Sequence, residues 1–393
     1  MECLVELYDQ EQINNLIVVL ALRPKKAIFL YDKRDASPAT FHAIEKACKS
    51  RINPFTLEAI EIDSKHLDNI YETCKMIIHQ NPECFFDITG GGQIGAIAAY
   101  LICKKTFTPL FTLDIEKDEI INVLGSNFLE KRFVLPKLSM ETLLMSHGAT
   151  IHGNNHPKPP AELYGPILSF CSKIFQNIGE WKDLCFYFQM ALSQYGIEYN
   201  PLLFVAPKKI SSGIAKAEVK NLKLIFLAEQ LGFIKNLQCE GKKISFSFKN
   251  AMIKKYMTDY GTWLELFVYI TLKKAQCFHD VRMSVKINWE SGRKDVLEII
   301  NEVDVTFFHG VHPVFVSCKL SEPASEALQE LSVYRTYFGG RHSKCILVTL
   351  ASIKKDRSYV LRRARDMKIS VIDGSSIKNG TFLDQLKEAL DSN

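Results

Sequence analysis

The amino-acid sequence predicts an α/β chain with three parts: a doubly wound parallel sheet, a mostly helical middle and a second α/β core. Short apolar strands alternate with helix-period segments up to about residue 115, which is typical of a parallel sheet covered by helices on both faces. A similar alternation returns after Gly261. The chain has 393 residues and 47% hydrophobic content, enough for more than one core. The predicted domains are 1–142, 143–260 and 261–393.

The first predicted domain consists of strands and helices that follow one another without long interruptions. In order, the patterns predict a strand in CLVELYD, a helix ending at Leu22, a strand in AIFLYD, a helix in PATFHAIEKACKS, a strand in FTLEAIEI, a helix in HLDNIYETCKMIIHQ, a strand in CFFDI, a helix in GQIGAIAAYLICKK and a strand in PLFTLDI. Ligands of such sheets bind beyond the carboxyl ends of the strands. We therefore expect the loops YDQEQ, YDKRD and DITGGGQ at one edge.

The middle domain is less regular. The segment KNLKLIFLAEQLGF predicts a helix that ends near Gly232, and FIKNLQCEGKKISFSF predicts a hairpin that turns at Glu240 and Gly241. A helix followed by a hairpin is similar to a winged-helix unit. A packed connector with no role in nucleic-acid binding fits the pattern equally well.

The last domain again combines helices with strands. The patterns predict a helix in GTWLELFVYITLKKA, strands in FHDVRMSVKIN, VLEIINEVDVTFF and HPVFVSCK, a helix in EPASEALQELSVYRTYF, a strand in KCILVTL, a helix in VLRRARDM and a strand in ISVID.

Composition restricts the function only weakly. The formal charge of +5 arises from 49 basic and 44 acidic residues, so it is a weak argument for an anionic partner. The eleven cysteines are scattered without a C-x-x-C pair, and we expect them to be reduced and buried. The early apolar run INNLIVVLAL is too short to span a bilayer. These features predict a cytoplasmic protein without a membrane partner.

The loop DITGGGQIG places Gly90, Gly92 and Gly95 at the spacing of a dinucleotide-binding fingerprint. That fingerprint normally follows the first strand of its fold, whereas roughly three strands precede it here. Glycines do allow a backbone to approach a phosphate, and the amides of Gly91, Gly92 and Gln93 open a helix whose dipole favours an anion. The loop thus predicts an anion-binding site, with a tight turn that binds nothing as the alternative.

Charged residues in the last domain suggest a second site. In INEVDVT, Glu302 and Asp304 alternate with Val303 and Val305, and a pair of carboxylates beside an apolar strand face suits a hard divalent cation. The next strand brings Ser317 and Lys319 to one face, with Cys318 directed into the core. Glu265 lies among apolar residues of the preceding helix. Each acid alone fits an exposed charge, but their joint order favours a site.

This order of helix acid, strand acid and strand lysine resembles the PD-(D/E)XK nuclease core, which is related to restriction endonucleases. The run GTWLELFVYITL, NEVDV, VSCK, FGGRHSKCILVTL and RRARDMKISVIDG is similar to the CRISPR-associated CARF-domain ancillary nucleases. These proteins join a Rossmann-like cyclic-oligoadenylate sensor to such a nuclease. DITGGGQIGAIAAY resembles the sensor motif, which is typically a strand, T-G-G-T-K and an apolar helix.

The resemblance implies a role for each matching residue. Glu265 and Asp304 are expected to bind a divalent metal, Mn²⁺ or Mg²⁺, while Lys319 stabilises charge or activates water. Ser317 stands where the motif usually has Glu, and Glu302 lies near enough to compensate. Gln93 stands where the sensor usually has Lys. The ring is expected to bind Thr89, Gly90, Gly91, Gly92 and Gln93, with Asp9 and Gln10 as weaker candidates.

The resulting prediction is a homodimeric, metal-dependent endonuclease activated by a cyclic oligoadenylate, with cyclic tetra-adenylate as the expected ring. It would cleave DNA, RNA or both in type III CRISPR antiviral defence. Basic residues that are candidates to contact the nucleic-acid backbone are Lys354, Lys355, Arg357, Arg362, Arg363, Arg365 and Lys368. The alternatives are a ligand-responsive nucleic-acid-binding regulator with a decayed nuclease core and a dinucleotide-dependent enzyme.

Overall fold

The computed structural model describes residues 1–125, 134–154, 156–289, 300–323, 325–353 and 359–391. Within these ranges the chain forms two six-stranded sheets with helices packed on them, joined by a middle unit. This architecture confirms the predicted α/β fold class. The predicted strand segment 296–299 and the side chains of Lys354, Lys355 and Arg357 lie outside the described residues.

The N-terminal sheet has the strand order β3-β2-β1-β4-β5-β6. Its elements are β1 (Cys3–Leu7), α1 (Gln12–Leu22), β2 (Lys26–Tyr31), α2 (Pro38–Lys49), β3 (Thr56–Glu61), α3 (Leu67–Gln80), β4 (Cys84–Asp87), α4 (Gln93–Thr106), β5 (Leu110–Asp114) and β6 (Glu119–Leu124). β1 to β5 are parallel, and only β6 runs antiparallel, on β5. The strand order reverses between β1 and β4, which is where open parallel sheets bind ligands.

The middle of the chain contains more strands than its helical pattern predicts. It comprises α5 (Met140–Ser146), β7 (Thr150–Asn154), α6 (Tyr164–Gln176), α7 (Ile178–Tyr195), β8 (Leu203–Pro207), β9 (Lys209–Ser212), β10 (Ala215–Glu218), α8 (Lys223–Gln230), β11 (Ile234–Gln238), β12 (Lys243–Phe248) and α9 (Ala251–Thr258). The predicted hairpin is β11 and β12, and its turn contains Gly241 at a positive φ of 51°. β8 adds a third strand.

The C-terminal sheet has the order β17-β16-β15-β14-β13-β7. Its other elements are α10 (Thr262–Ala275), β13 (His279–Asn288), β14 (Ile300–His309), β15 (His312–Lys319), α11 (Ser325–Phe338), β16 (Lys344–Thr349), α12 (Tyr359–Asp366), β17 (Ile369–Ile372), α13 (Gly374–Asn379) and α14 (Phe382–Asp391). A turn of 3₁₀ helix, Gly340–His342, precedes β16. The edge strand β7 comes from a segment that the sequence pattern assigns to the middle.

The two sheets share one hydrophobic core, which fixes their relative position. Phe111 and Leu113 of β5 belong to the same buried cluster as Phe308, Phe315 and Leu331 of the C-terminal sheet and α11. Fully buried aromatic side chains of this kind contribute large apolar areas to stability. None of the described helices is long and apolar enough to cross a membrane. All eleven cysteines are unpaired, and most are buried, as predicted.

Candidate functional site

The acids predicted from the sequence converge where α10 crosses the strands β13, β14 and β15. Glu265 lies in the first turn of α10, and Glu302 and Asp304 lie two residues apart on β14. Ser317 and Lys319 lie at the end of β15. Antiparallel pairing of β14 with β15, in the register Val305 to Val316, brings Asp304 level with the end of β15.

Asp304 is the best anchored of these acids. Its Oδ2 accepts a hydrogen bond from the backbone N–H of Cys318 at 2.7 Å and a longer one from the hydroxyl of Ser317 at 3.4 Å. The Nζ of Lys319 lies 3.8 Å from the same oxygen. Burial raises the pKa of Asp304 above its usual range, although the charge of Lys319 lowers it. The ionised carboxylate is therefore not fully compensated by its protein neighbours.

Glu265 is held by a hydroxyl on the neighbouring strand. The Oγ of Ser284, on β13, donates to Glu265 Oε2 at 2.7 Å. Burial raises the pKa of Glu265 to about 8, and the charge of Asp304 acts in the same direction. Two neighbouring acids with raised pKa values are typical of a functional site.

The structure places a histidine in this cluster that the sequence analysis did not identify. A ring nitrogen of His156 and carboxylate oxygens of Glu265 and Glu302 lie within 4.8 Å of one another. Nε2 of His156 is 2.9 Å from the Thr262 hydroxyl and 3.2 Å from Asp259 Oδ2. His156 follows β7 and is 109 residues before Glu265, so no local motif could have connected the two.

Two residues of the network around His156 also escaped the sequence analysis. Asp259 precedes α10, and its Oδ1 accepts hydrogen bonds from the backbone N–H groups of Gly261 and Thr262. Burial alone would raise the pKa of Asp259, but the hydrogen bond and charge of His156, together with hydrogen bonds from Thr262, outweigh it and lower the pKa to about 2. Ser284 lies 3.1 Å from His156 Nδ1 while it donates to Glu265. Ser284 thus links the histidine to the acid.

On the other side of β14, α11 contributes an acid and a tyrosine. The hydroxyl of Tyr334 lies 2.9 Å from the carbonyl oxygen of Glu302 and 3.0 Å from Oε1 of Glu330. The charge of Glu330 acts with burial to raise the pKa of Asp304. Tyr334 therefore fixes the backbone that carries Glu302 and Asp304.

The donor set of this cluster suits a hard divalent cation. Carboxylate oxygens are the ligands that Mg²⁺ and Mn²⁺ prefer, and Glu265, Glu302 and Asp304 supply them from two elements. A cation would offset the like charges that, together with burial, raise the pKa of Glu265. The residues present fit the metal that the sequence analysis predicts.

At the N-terminal sheet, the glycine loop packs tightly against the end of β1. A Cβ at Gly90 would lie 2.6 Å from the carbonyl oxygen of Leu7, and one at Gly91, which has a φ of +75°, would lie 2.5 Å from Leu7 Cβ. Gly92 has open space around it and precedes the first turn of α4. Gly90 and Gly91 are thus required by packing, while Gly92 and Gln93 are exposed at the helix start.

Thr89 and the two predicted residues of the first loop already have partners within the protein. The backbone N–H of Thr89 donates to Asp87 Oδ1 at 2.9 Å, and its hydroxyl accepts from the backbone N–H of Leu113 at 2.7 Å. Asp9 Oδ1 accepts from the N–H of Glu11 at 2.8 Å. Gln10 donates to Asp35 Oδ1 at 2.9 Å, which joins the first and second loops. The three predicted loops do meet at one sheet edge.

A cavity of about 380 Å³ lies between this edge and the C-terminal sheet. It is lined by Asn14 of α1 and Thr89 of the glycine loop and by Arg341 and His342 from the turn before β16, among others. Both polar atoms of the Asn14 side chain are buried and have no hydrogen-bond partner among the residues that the structure describes. The cavity therefore lies where the edge that carries the glycine loop faces the C-terminal sheet.

The basic residues of α12 and β17 form a separate surface feature. Arg362, Arg365 and Lys368 line an open cavity of about 550 Å³ between the helix and the strand. Arg363 instead donates to the hydroxyl of Tyr359 at 3.0 Å. Three positive charges around one cavity suit a nucleic-acid backbone.

Comparison with known proteins indicates what kind of domain the C-terminal part of the chain forms. Residues 254–390 match the sequence profile described as the Card1-like endonuclease domain. This part of the chain is an endonuclease domain. The matched segment of the endonuclease domain contains Glu265, Glu302, Asp304, Ser317 and Lys319, whereas His156 lies outside it.

Two solved structures share the fold over nearly the whole chain. Protein VC1899 from Vibrio cholerae is 17% identical, with a TM-score of 0.76 and coverage of 99% of this chain and 98% of that one. Can2 from Sulfobacillus thermosulfidooxidans, solved in complex with cyclic tetra-adenylate, is 18% identical, with a TM-score of 0.67 and the same coverage. No curated protein sequence matches this chain significantly. The fold of this chain, with both of its sheets, is thus shared with these two proteins.

Proposed function

We propose that this protein is a metal-dependent endonuclease, activated by a cyclic oligoadenylate, that cleaves nucleic-acid phosphodiesters in type III CRISPR defence in the cytoplasm. The observation that carries the proposal is the convergence of Glu265, Glu302, Asp304 and Lys319 inside the endonuclease domain. The glycine loop at the switch point of the first sheet supports the activator.

The residues of the cluster divide into metal-binding and charge-stabilising groups. Glu265 and Asp304 would hold Mn²⁺ or Mg²⁺, with Glu302 as a further carboxylate. When bound, the metal supplies Lewis-acid stabilisation of the scissile phosphate and lowers the pKa of an attacking water. Lys319, anchored 3.8 Å from Asp304, places a positive charge where negative charge develops on the phosphate. His156, through Ser284 and its own contacts, keeps Glu265 in place.

The serine at position 317 does not deprive the site of negative charge. Ser317 stands where the related nuclease motif usually has Glu, but Glu302 projects from the neighbouring strand toward Glu265 and His156. Ser317 is 5% exposed and donates only a long hydrogen bond to Asp304. This compensation favours an active nuclease over a regulator with a decayed core.

The activator site is proposed at the edge shared by the three loops. Can2, which has the same fold, was solved in complex with cyclic tetra-adenylate. The exposed backbone at Gly92 and Gln93 opens α4, and a helix start favours a phosphate even though Gln93 carries no charge. Thr89, Asp9 and Gln10 shape this edge through their own hydrogen bonds. Because the ring is symmetric, it is best matched by the same loops from two subunits, so we propose a homodimer.

A set of cleavage assays tests the proposal. The full chain is incubated with single-stranded and duplex DNA and RNA, with Mn²⁺, Mg²⁺ or a chelator, and with or without each cyclic oligoadenylate. Cleavage that requires both a metal and a ring is the expected result. Ring binding without cleavage of any substrate would favour the regulator instead, and binding of NAD without ring binding would favour the dinucleotide enzyme.

A further inference from the structure

Two histidines and a glutamate form a second group of potential ligands, at the contact between the two sheets. Glu116 lies in the turn between β5 and β6, His312 begins β15, and His342 ends the turn before β16. Their nearest side-chain nitrogen and oxygen atoms all lie within 4.8 Å of one another. None of the three has a role in the function proposed above.

The two imidazoles are oriented as metal-binding histidines usually are. Nδ1 of His312 lies 2.9 Å from the carbonyl oxygen of His342, so it carries the proton and leaves the lone pair of Nε2 directed toward Glu116, 3.9 Å away. Nε2 of His342 faces Glu11 at 3.4 Å, and its Nδ1 faces Glu116 at 3.7 Å. A ligating histidine typically directs its second nitrogen to a carbonyl or carboxylate in this way.

His342 also lacks the hydrogen-bond partners that a buried polar ring requires. It is 5% exposed, and neither ring nitrogen has a hydrogen bond among the described residues. A neutral imidazole carries only one proton, and both ring nitrogens of His342 face a carboxylate, Nε2 toward Glu11 and Nδ1 toward Glu116, so a proton on Nε2 leaves a lone pair on Nδ1 directed at Glu116. A lone pair that faces a carboxylate is unfavourable unless a cation lies between them.

We propose that Glu116, His312 and His342 bind a divalent transition metal of the zinc class between the two sheets. Two imidazoles and one carboxylate are a set of ligands that zinc accepts, with a fourth position left for water. Tetrahedral bonds of about 2.0–2.1 Å separate neighbouring ligand atoms by about 3.3 Å, so the 3.7 and 3.9 Å contacts need to contract by only about half an ångström. The adjoining cavity of about 380 Å³ provides an entry path.

The site would fasten the endonuclease domain to the sheet that carries the glycine loop. Glu116 belongs to the N-terminal sheet, and both histidines belong to the endonuclease domain. Glu11, which faces His342, also accepts hydrogen bonds from the N–H and Nε of Arg341 and follows directly on Gln10 of the first loop. The metal would therefore act on the arrangement of the two domains rather than on phosphodiester chemistry.

Metal content of the full chain tests this proposal without any nuclease assay. The protein is stripped with a chelator, loaded with Zn²⁺ and passed through a desalting column, and its zinc is then measured by mass spectrometry. Glu116→Ala and His312→Ala remove one ligand each. Glu119→Ala is the matched control, because Glu119 is an exposed acid at the start of β6, three residues after Glu116. Asp304→Asn removes a ligand of the acidic cluster.

The wild type, Glu119→Ala and Asp304→Asn should each retain about one zinc ion per chain. Glu116→Ala and His312→Ala should bind zinc about 100-fold more weakly or worse, since loss of a mere supporting hydrogen bond already costs 10–100-fold. Zinc should also raise the melting temperature of the wild type but not that of Glu116→Ala. No retained zinc in the wild type, equal retention in Glu116→Ala, or loss of zinc only in Asp304→Asn would overturn the proposal.

Discussion

Replacing Asp304 with Asn should make the metal-free protein more stable and the metal-bound protein inactive. The asparagine keeps an oxygen that can accept the N–H of Cys318, now 2.7 Å from Oδ2, so the strand pairing persists. It removes a charge that burial disfavours and that raises the pKa of Glu265. The ion pair with Lys319 is lost as well, but at 3.8 Å on a partly exposed lysine it contributes little.

The sign and size of this change in stability follow from the raised pKa values of Glu265 and Asp304. A carboxyl group whose pKa is raised by folding lowers stability as the pH rises from its unfolded value, near 4, through its folded value, about 8 for Glu265. Above pH 8, each unit by which the substitution lowers the pKa of Glu265 recovers about 1.4 kcal/mol. A gain of about 1 kcal/mol, or about 2 °C in melting temperature, is therefore expected at pH 8.5 in chelator.

Thermal melts with and without Mn²⁺ provide the assay. Metal at 100 times its dissociation constant adds about 2.7 kcal/mol to the wild type, whereas Asp304→Asn should gain little, so the order of stability inverts. The variant should lose at least about 3 kcal/mol of transition-state stabilisation, so its cleavage rate should be more than about 100-fold lower. Asp63→Asn, an exposed aspartate that accepts the N–H of Lys65, is the control. A variant that melts lower than the wild type in chelator would refute the reasoning.

Three further outcomes are expected. Ser317→Ala should reduce cleavage less than about tenfold, because its hydrogen bond to Asp304 is long at 3.4 Å; a loss as complete as that of Asp304→Asn would assign the serine a direct role. Mn²⁺ affinity, measured by calorimetry, should rise up to about tenfold per pH unit between pH 6.5 and 8 because the metal displaces the proton of Glu265, and Glu265→Gln should abolish this slope. Gly91→Val should weaken ring binding and ring-activated cleavage together while basal metal-dependent cleavage persists, since its Cβ would lie 2.5 Å from Leu7 Cβ. Gly179→Ala, in α7 and with open space around it, is the control, and normal ring binding by Gly91→Val would contradict the coupling.

Local patterns predicted the strands and helices well because each segment carries its own periodicity. The alternation in NEVDV and VSCK placed Asp304, Ser317 and Lys319 correctly on adjoining strands, and the glycines of the TGGGQ loop lie at the expected sheet edge. Periodicity says nothing about which distant segments pair. The edge strand β7 and His156 reach the acidic cluster only through long-range strand pairing and packing, so no sequence window contained the information.

The glycine loop shows a second limit of sequence reasoning. The glycines of the sequence motif predict room for a phosphate, but at Gly90 and Gly91 this room is taken by Leu7 of β1 and Asp9 of the first loop. The hydroxyl of Thr89 is likewise occupied, because it accepts a hydrogen bond from the backbone N–H of Leu113. A motif of small residues reports that something approaches the backbone closely, and only coordinates distinguish a ligand from a neighbouring loop.

The pairing of β7 with β13 has a practical consequence for dissecting the protein. A fragment cut at residue 254, where the endonuclease profile begins, would leave behind both β7 and His156. The outer side of β13 would then present unpaired backbone amides and carbonyls to other chains, and such open edges promote aggregation. A truncated protein should therefore begin upstream of Met140 and keep the segment between β7 and α10, because this segment carries His156 and Asp259 and shares a buried cluster with α10. In chain order, the endonuclease is an interrupted domain rather than a C-terminal appendage.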